Sequence, residues 1–201
     1  VSTNHYFSEQ PEGEFKTKEI TIELFDTKYK VVTAGNVFSP DHIDQGTAVL
    51  LKQIDEIEPN STLLDIGCGW GPIALALALA SPTSTVYAID VNQRSIELTR
   101  INAEKLGIKN IITSTPEDLP KEIQFDGIWS NPPIRVGKVI LHEIMQTWLP
   151  RLKSDAEALL VVQKNLGSDS LQKWIQEEFK EFSTERIETS KGFRIISVIK
   201  N

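Results

Sequence analysis

The chain has 201 residues, 40% of them hydrophobic and 24% charged, the make-up of one globular domain with room for a small appendage. No apolar run approaches the roughly 20 residues that a bilayer span needs, and the first residues lack the basic-then-apolar order of a secretory signal. The formal net charge of −7 is awkward for a nucleic-acid binder, and a single cysteine excludes an intrachain disulfide and fits a reducing cytoplasm.

In chain order, residues 19–24 and 29–33 alternate apolar and polar around Phe25-Asp26-Thr27-Lys28, which predicts a β-hairpin laid on the core. Residues 62–66 predict a strand, followed by a Gly-rich turn and a buried, Ala-rich helix through residue 80. A second strand over 86–90 leads to Asn92, which caps a helix to about residue 106, with Gly107 as its stop. Short strands follow at 111–114 and 125–130, then a helix over 137–148 with Pro150 near its end. A Leu- and Val-rich strand spans 158–163, and Ser168 or Asp169 caps a helix to residue 179. The last strands, 183–188 and 193–199, have no helix between them and predict an edge hairpin with one antiparallel member.

Strands alternating with helices predict an α/β fold with a mostly parallel seven-stranded sheet and helices on both faces. The expected organisation is an N-terminal extension over 1–45 that carries the hairpin and a main domain over 46–201.

Two stretches carry chemistry. In Asp65-Ile66-Gly67-Cys68-Gly69-Trp70-Gly71, glycines between a strand and a helix let the backbone approach a ligand closely, although a tight strand-to-helix turn is the plain alternative. Asp90 ends the next strand, where an acid can bind ribose hydroxyls. A dinucleotide fingerprint fails here, because its third glycine falls on Pro72 and Asp65 would repel a pyrophosphate. Asp65 therefore favours a ligand with positive charge and no phosphate. The second stretch is Ser130-Asn131-Pro132-Pro133-Ile134. Two prolines remove two donors and stiffen the end of a buried strand, leaving the Asn131 amide and the Pro132 carbonyl as acceptors for a planar amino group.

Asp65 to Gly71, then Asp90, then Asn131-Pro132-Pro133-Ile134, resemble a class I S-adenosylmethionine-dependent methyltransferase with a Rossmann-like sheet. His5-Tyr6-Phe7-Ser8, Gly35-Asn36-Val37-Phe38-Ser39, Asp44-Gln45-Gly46, the run from Ser130 to Lys138 and Lys191-Gly192-Phe193-Arg194 look like the small-domain methyltransferases. That group is related to the catalytic half of the 16S and 23S rRNA guanine-N2 methyltransferases. The resemblance covers nearly the whole chain, in order.

It implies S-adenosylmethionine bound by Gly67 and Gly69, with Asp65 toward the methionine ammonium directly or through water. It further implies Asp90, with Val91 beside it, at the ribose, and Asp118 at the adenine amine, an exposed acidic turn being the alternative for Asp118. Asn131 and Pro132 would hold both N–H bonds of the target amine, which is a poor nucleophile while its lone pair is delocalised. Pro133, Ile134, Arg135, Lys138, Phe38 and Lys164 are the candidate substrate contacts. Ile134 stands where many amine-methylating relatives carry an aromatic ring, and Phe38 is a candidate substitute wall or else a core aromatic. Arg135 and Lys138, with Arg151 and Lys153 further on, are candidates for a local basic patch or for a mixed-charge surface. Cys68 has no evident base to make it a nucleophile, Trp70 reads as packing, and His5, His42 and His142 lack metal-ligand spacing.

The expected activity is N-methylation of an exocyclic amine, guanine N2 of rRNA first, in the cytoplasm. The additional N-terminal domain of the larger rRNA enzymes is not expected, and no metal or membrane partner is expected. Methylation of a protein glutamine amide or a small-molecule amine is the alternative within enzymes, and a non-catalytic cofactor-binding subunit the alternative outside them.

Overall fold

The computed structural model describes residues 15–201, so the His5-Tyr6-Phe7-Ser8 motif lies outside the described residues. The hairpin is β1 (Thr17–Leu24) and β2 (Thr27–Ala34), paired antiparallel with Leu24 opposite Thr27. Its turn is two residues, Phe25 and Asp26, rather than the expected four. Both adopt positive φ, 50° and 59°, the twist that lets a two-residue turn join right-twisted strands. Asn102 fastens this hairpin to the core: its Oδ1 accepts from Val32 N–H at 2.7 Å and its Nδ2 donates to Val32 O and Trp70 O, each at 2.9 Å.

After α1 (Gln45–Leu51), strands alternate with helices: β3 (Thr62–Ile66), α2 (Pro72–Ala80), β4 (Thr85–Ile89), α3 (Gln93–Lys105), β5 (Ile111–Ser114) and β6 (Phe125–Ser130). Then come α4 (Lys138–Trp148), β7 (Leu152–Gln163), α5 (Ser168–Glu178), β8 (Phe182–Ser190) and β9 (Phe193–Lys200). The seven strands β3 to β9 form one sheet in the order β5-β4-β3-β6-β7-β9-β8. The first five in that order pair in parallel, and β9 lies antiparallel between β7 and β8.

Period-two alternation divides the core. Leu63, Val86, Leu159, Val161 and Ile195 face α1, α2, α3 and the hairpin. Leu64, Ile89, Leu160, Val162 and Ile196 face α4 and α5. Helices on both faces explain why the central strands are nearly continuously apolar. Two elements depart from expectation. The strand expected over 158–163 begins at Leu152; its first half is mostly polar and exposed, with Asp155 at φ 63°, and so has no apolar pattern to mark it. The helix α1 was not foreseen: only seven residues long, it is signalled by Asp44, whose side chain accepts from Gly46 and Thr47 N–H as its N-cap.

Candidate active site

The sheet builds outward in two directions from the neighbours β3 and β6, and the crevice at the C-terminal ends of such a pair is where open α/β sheets bind ligands. Ile66 and Ser130 are register partners there, and Ser130 Oγ donates to Ile66 O at 2.8 Å. The Gly-rich loop and the Asn-Pro-Pro tip are thus joined at their roots.

The loop is held from β4. Gly67 and Cys68 N–H both donate to Ile89 O, at 2.8 and 2.9 Å. Gly69 N–H donates to Asp90 Oδ2 at 3.0 Å, while Asp90 Oδ1 accepts from Asn92 N–H at 2.9 Å. Burial pushes the Asp90 carboxyl above its ordinary value, and the Asn92 and Gly69 donors oppose that shift. Gly67 and Gly69 have φ of +75° and +58°, and no atom lies within 4 Å of where a Cβ would stand on either. A side chain would fill this cradle, so the glycines leave a bare backbone face. Gly71 differs: a Cβ there would sit 3.0 Å from Thr99 Oγ1, so it packs against α3.

Asp65 requires a correction. Its side chain has no exposed surface and so does not face the cleft directly. Its Oδ2 instead accepts from Ala74 N–H of α2 at 3.0 Å, and its Oδ1 has no hydrogen-bond partner. Burial above all, with Asp90 adding repulsion and the Ala74 donor opposing, pushes this carboxyl up to about 8.

At the tip, Asn131 Nδ2 donates to Asp44 Oδ2 at 2.9 Å and to Thr47 Oγ1 at 3.0 Å. Both partners belong to the start of α1. The amide nitrogen is thereby occupied on the protein side, and Oδ1 is left as the acceptor for a ligand. Pro133 O accepts from Val136 N–H at 3.3 Å, so the turn that follows uses that carbonyl and not the one on Pro132. Phe193 of the terminal hairpin packs onto Gly46, where a Cβ would lie 2.8 Å from its ring. Three motifs distant in sequence therefore meet around one amide. Asp44 and Thr47 went unassigned in the sequence reading, although the N-cap pattern at Asp44 was there to be found.

A strap over residues 35–39 covers the loop. Trp70 Nε1 donates to Ser39 O at 3.0 Å, Asn92 Nδ2 to Asn36 O at 3.0 Å and Arg94 Nη1 to Gly35 O at 2.9 Å. Trp70 is thus both packing and a tether. Phe38 is 44% exposed and lines the cleft with Asp44, Thr47, Gly67, Gly69 and Asn131, so it does not take the core role. Val91 is exposed beside Asp90. Asp118 is exposed in the turn after β5, where its Oδ2 accepts from Thr115 Oγ1 at 2.7 Å. Ile134 and Lys138 lie on the far side of the tip with Leu166. Lys164 is exposed, and its N–H donates to Gly192 O at 2.8 Å. The side chain of Arg135 is not among those described.

Arg151 and Lys153 stand at the opposite end of β7 and do not join the site. Arg151 donates to Ile123 O and lies over the Trp148 and Phe125 rings, and Lys153 pairs with Asp126 at 2.8 Å. The Cys68 thiol is buried and pushed well up, first by burial and then by Asp90 and Asp65, which leaves it unreactive. Among the described residues no cluster of ligating side chains could hold a metal ion, and no helix is long and apolar enough to cross a membrane.

The residues present fit S-adenosylmethionine on their own geometry. The glycine cradle is open, Asp90 is partly exposed beside it, and the buried Asp65 Oδ1 is left without a partner, a place for a bridging water.

Comparison with known proteins agrees with this picture. The chain is 34% identical over 202 residues to the Bacillus subtilis (strain 168) protein YbxB, covering 98% of this chain and 99% of that one. It is 31% identical over 140 residues to ribosomal RNA small subunit methyltransferase C of Shewanella sp. (strain MR-4), covering 65% of this chain and 40% of that protein. Among solved structures, a T. thermophilus 16S rRNA N2 methyltransferase in complex with AdoMet and guanosine superposes with a TM-score of 0.79 at 21% identity. That match covers 95% of this chain and 52% of the other, so the chain spans about half the length of these larger enzymes. A family model, the methyltransferase small domain, matches residues 28–197, and the chain belongs to that family.

Proposed function

We propose that this protein transfers a methyl group from S-adenosylmethionine to an exocyclic amine, guanine N2 of ribosomal RNA being the preferred target. The observation that carries the reading is the Asn131 amide, turned by Asp44 and Thr47 so that Oδ1 is left as an acceptor beside an open glycine cradle. The names of the methyltransferase C relatives and of the guanosine-bound structure support the choice of rRNA and guanine.

S-adenosylmethionine, when bound, supplies an electrophilic sulfonium methyl. Gly67 and Gly69 would hold it, with Asp90 and Val91 at the ribose, Asp118 at the adenine amine and Asp65 acting through a water. Asn131 Oδ1 and Pro132 O accept the two N–H bonds of the target amine, which draws its lone pair out of conjugation and stabilises the positive charge that develops during transfer. Positioning and this charge stabilisation are worth several kcal/mol together, about the scale that separates a held amine from a free one. The proton leaves after transfer, so no strong base is required. Phe38 and Ile134 wall the base from opposite sides of the tip, and Lys138, Arg135, Lys164 and Pro133 contact the remaining substrate.

A second reading, methylation of a protein glutamine amide or a small-molecule amine, is favoured by Ile134, which offers no π face, and by the net charge of −7. Mass spectrometry of rRNA nucleosides from cells with and without the gene separates the two. Loss of N2-methylguanosine from one rRNA supports the first reading, and an unchanged nucleoside profile supports the second.

A further inference from the structure

With Asp65 sealed beneath α2, the cofactor cradle lacks the open acid that its sequence position promises. A different carboxylate stands at the cleft. Of the described residues that line it, Gly67, Gly69 and Asn131 among them, Asp44 alone carries a charged side chain. The Cys68 thiol lines it too, but burial keeps that group neutral.

The two oxygens of Asp44 differ. Oδ2 is fully used: it accepts from Gly46 N–H, Thr47 N–H and Asn131 Nδ2, at 2.8, 3.2 and 2.9 Å. Oδ1 takes no hydrogen bond or ion pair from any described residue and is not sealed from solvent. Three donors on one oxygen fix the whole carboxylate, so the place of the other oxygen is set before any ligand arrives.

Most other acceptors around the cradle are engaged. Ile66 O accepts from Ser130 Oγ at 2.8 Å, Cys68 O from Gly71 N–H at 2.9 Å and Gly69 O from the buried Thr99 Oγ1 at 3.0 Å. A carbonyl can accept a second bond, but its neutral dipole attracts a cation less than a full opposite charge does. Asp90 stands on the β4 side of β3 and Asp44, through Asn131, on the β6 side. A ligand with hydroxyls at one end and an ammonium at the other therefore meets a matching acid at each.

We infer that Asp44 Oδ1 receives the α-ammonium of S-adenosylmethionine, the direct contact that the buried Asp65 does not make. The inference rests on the cofactor of the proposed function and is independent of which amine is methylated. It gives one carboxylate two duties: one oxygen holds the methyl donor while the other turns the Asn131 amide.

The test is calorimetric titration with S-adenosylhomocysteine, which keeps the ammonium, and with its deamino analogue, in which hydrogen replaces that group. The unaltered protein should favour S-adenosylhomocysteine about tenfold, the scale of a bond between charged partners. Asp44→Asn keeps an oxygen for the three donors and removes the charge, so it should lose that preference and bind the analogue no more weakly. Asp44→Ser, which can still cap α1, should lose it too. In turnover the loss should appear in the KM for the cofactor rather than in kcat, which follows the orientation of Asn131. The inference is overturned if Asp44→Asn keeps the preference, if it binds both ligands more weakly by the same factor, or if Asp65→Asn alone abolishes the preference. No binding of S-adenosylhomocysteine to the unaltered protein would sink the cofactor and this inference together. An ammonium preference that depends on Asp44, in cells whose rRNA shows no N2-methylguanosine from this protein, would sustain the inference and sink the guanine target.

Discussion

Asn131 Nδ2 donates to Asp44 Oδ2 at 2.9 Å across 87 positions of sequence. The same oxygen accepts from Gly46 N–H at 2.8 Å and Thr47 N–H at 3.2 Å, so one carboxylate both caps α1 and sets which way the Asn131 amide points.

Replacing Asn131 with Ala should abolish methyl transfer while sparing cofactor affinity, because the cradle stands on β3 and β4 rather than on the tip. Asp44→Ala should lower kcat about a hundredfold by letting the amide turn, and lower stability by about 1 kcal/mol through the lost cap. Asp44→Asn should retain most activity, since its single amide oxygen can occupy the place of Oδ2 and accept all three donors. Thr47→Val, which removes only the second acceptor, should cost about 1 kcal/mol, or roughly fivefold in kcat. Steady-state kinetics, with urea unfolding of each variant, separates orientation from stability. A kcat for Asp44→Ala that tracks its stability loss and nothing more would count against the orienting role.

Gly46→Ala should damage the same amide from the other side. The new Cβ would meet the Phe193 ring at 2.8 Å and Asp44 Oδ2 at 3.0 Å, so the ring or the cap must move. Overpacking of this kind costs about 1–3 kcal/mol. Lower urea stability together with reduced kcat is the expected outcome, and trimming the ring with Phe193→Leu in the same chain should restore part of both.

Asp90→Ala should weaken cofactor binding about tenfold to a hundredfold, the scale of losing a charged acceptor together with the restraint on Gly69. Calorimetric titration with S-adenosylhomocysteine measures it. Because Asp90 also holds the Asn92 N–H, the variant should lose some thermal stability too, and an unchanged affinity would remove Asp90 from the site.

Asp65 provides the pH dependence. Its folded carboxyl titrates near 8, against 3.8 for an ordinary one, so between those values the folded state holds a proton that the unfolded chain has lost. Stability contributed in this way is complete below the unfolded value and drains away as pH rises toward 8. Asp65→Asn keeps an oxygen for Ala74 N–H and removes the titration. The stability of the variant relative to the unaltered protein, without cofactor, should therefore grow by roughly 1 kcal/mol per pH unit between pH 5 and 8. Urea unfolding across that range checks it, and a constant difference would mean that the carboxyl is ionised throughout.

Much of this protein is readable from local signals. Leu63 against Leu64 and Leu159 against Leu160 carry a two-residue period that assigns each strand two apolar faces, and Asn92 marks the start of α3 by its own side-chain bond to Arg94 N–H. The glycine loop and the Asn-Pro-Pro tip were legible because backbone freedom and missing donors are properties of residue type. The first half of β7 was not legible, since a polar run held only by its neighbours has no period of its own.

What residue type and spacing could supply was the order of strands and helices and the chemistry at each strand end. What residue type could not supply was the company each group keeps. Asp65 reads as an acid open to a ligand and proves to be sealed beneath α2. Phe38 reads first as a core aromatic, with a wall as the alternative, and proves to be exposed and to line the cleft. Arg151 reads as a mixed-charge surface or as part of a basic patch and proves to be a brace at the other end of its strand. Asp44 reads as an unassigned acid and proves to orient the amide. Each of those outcomes depends on burial and on hydrogen bonds to residues far away in sequence, quantities that exist only once the sheet has brought the loop, the tip and the strap to one edge.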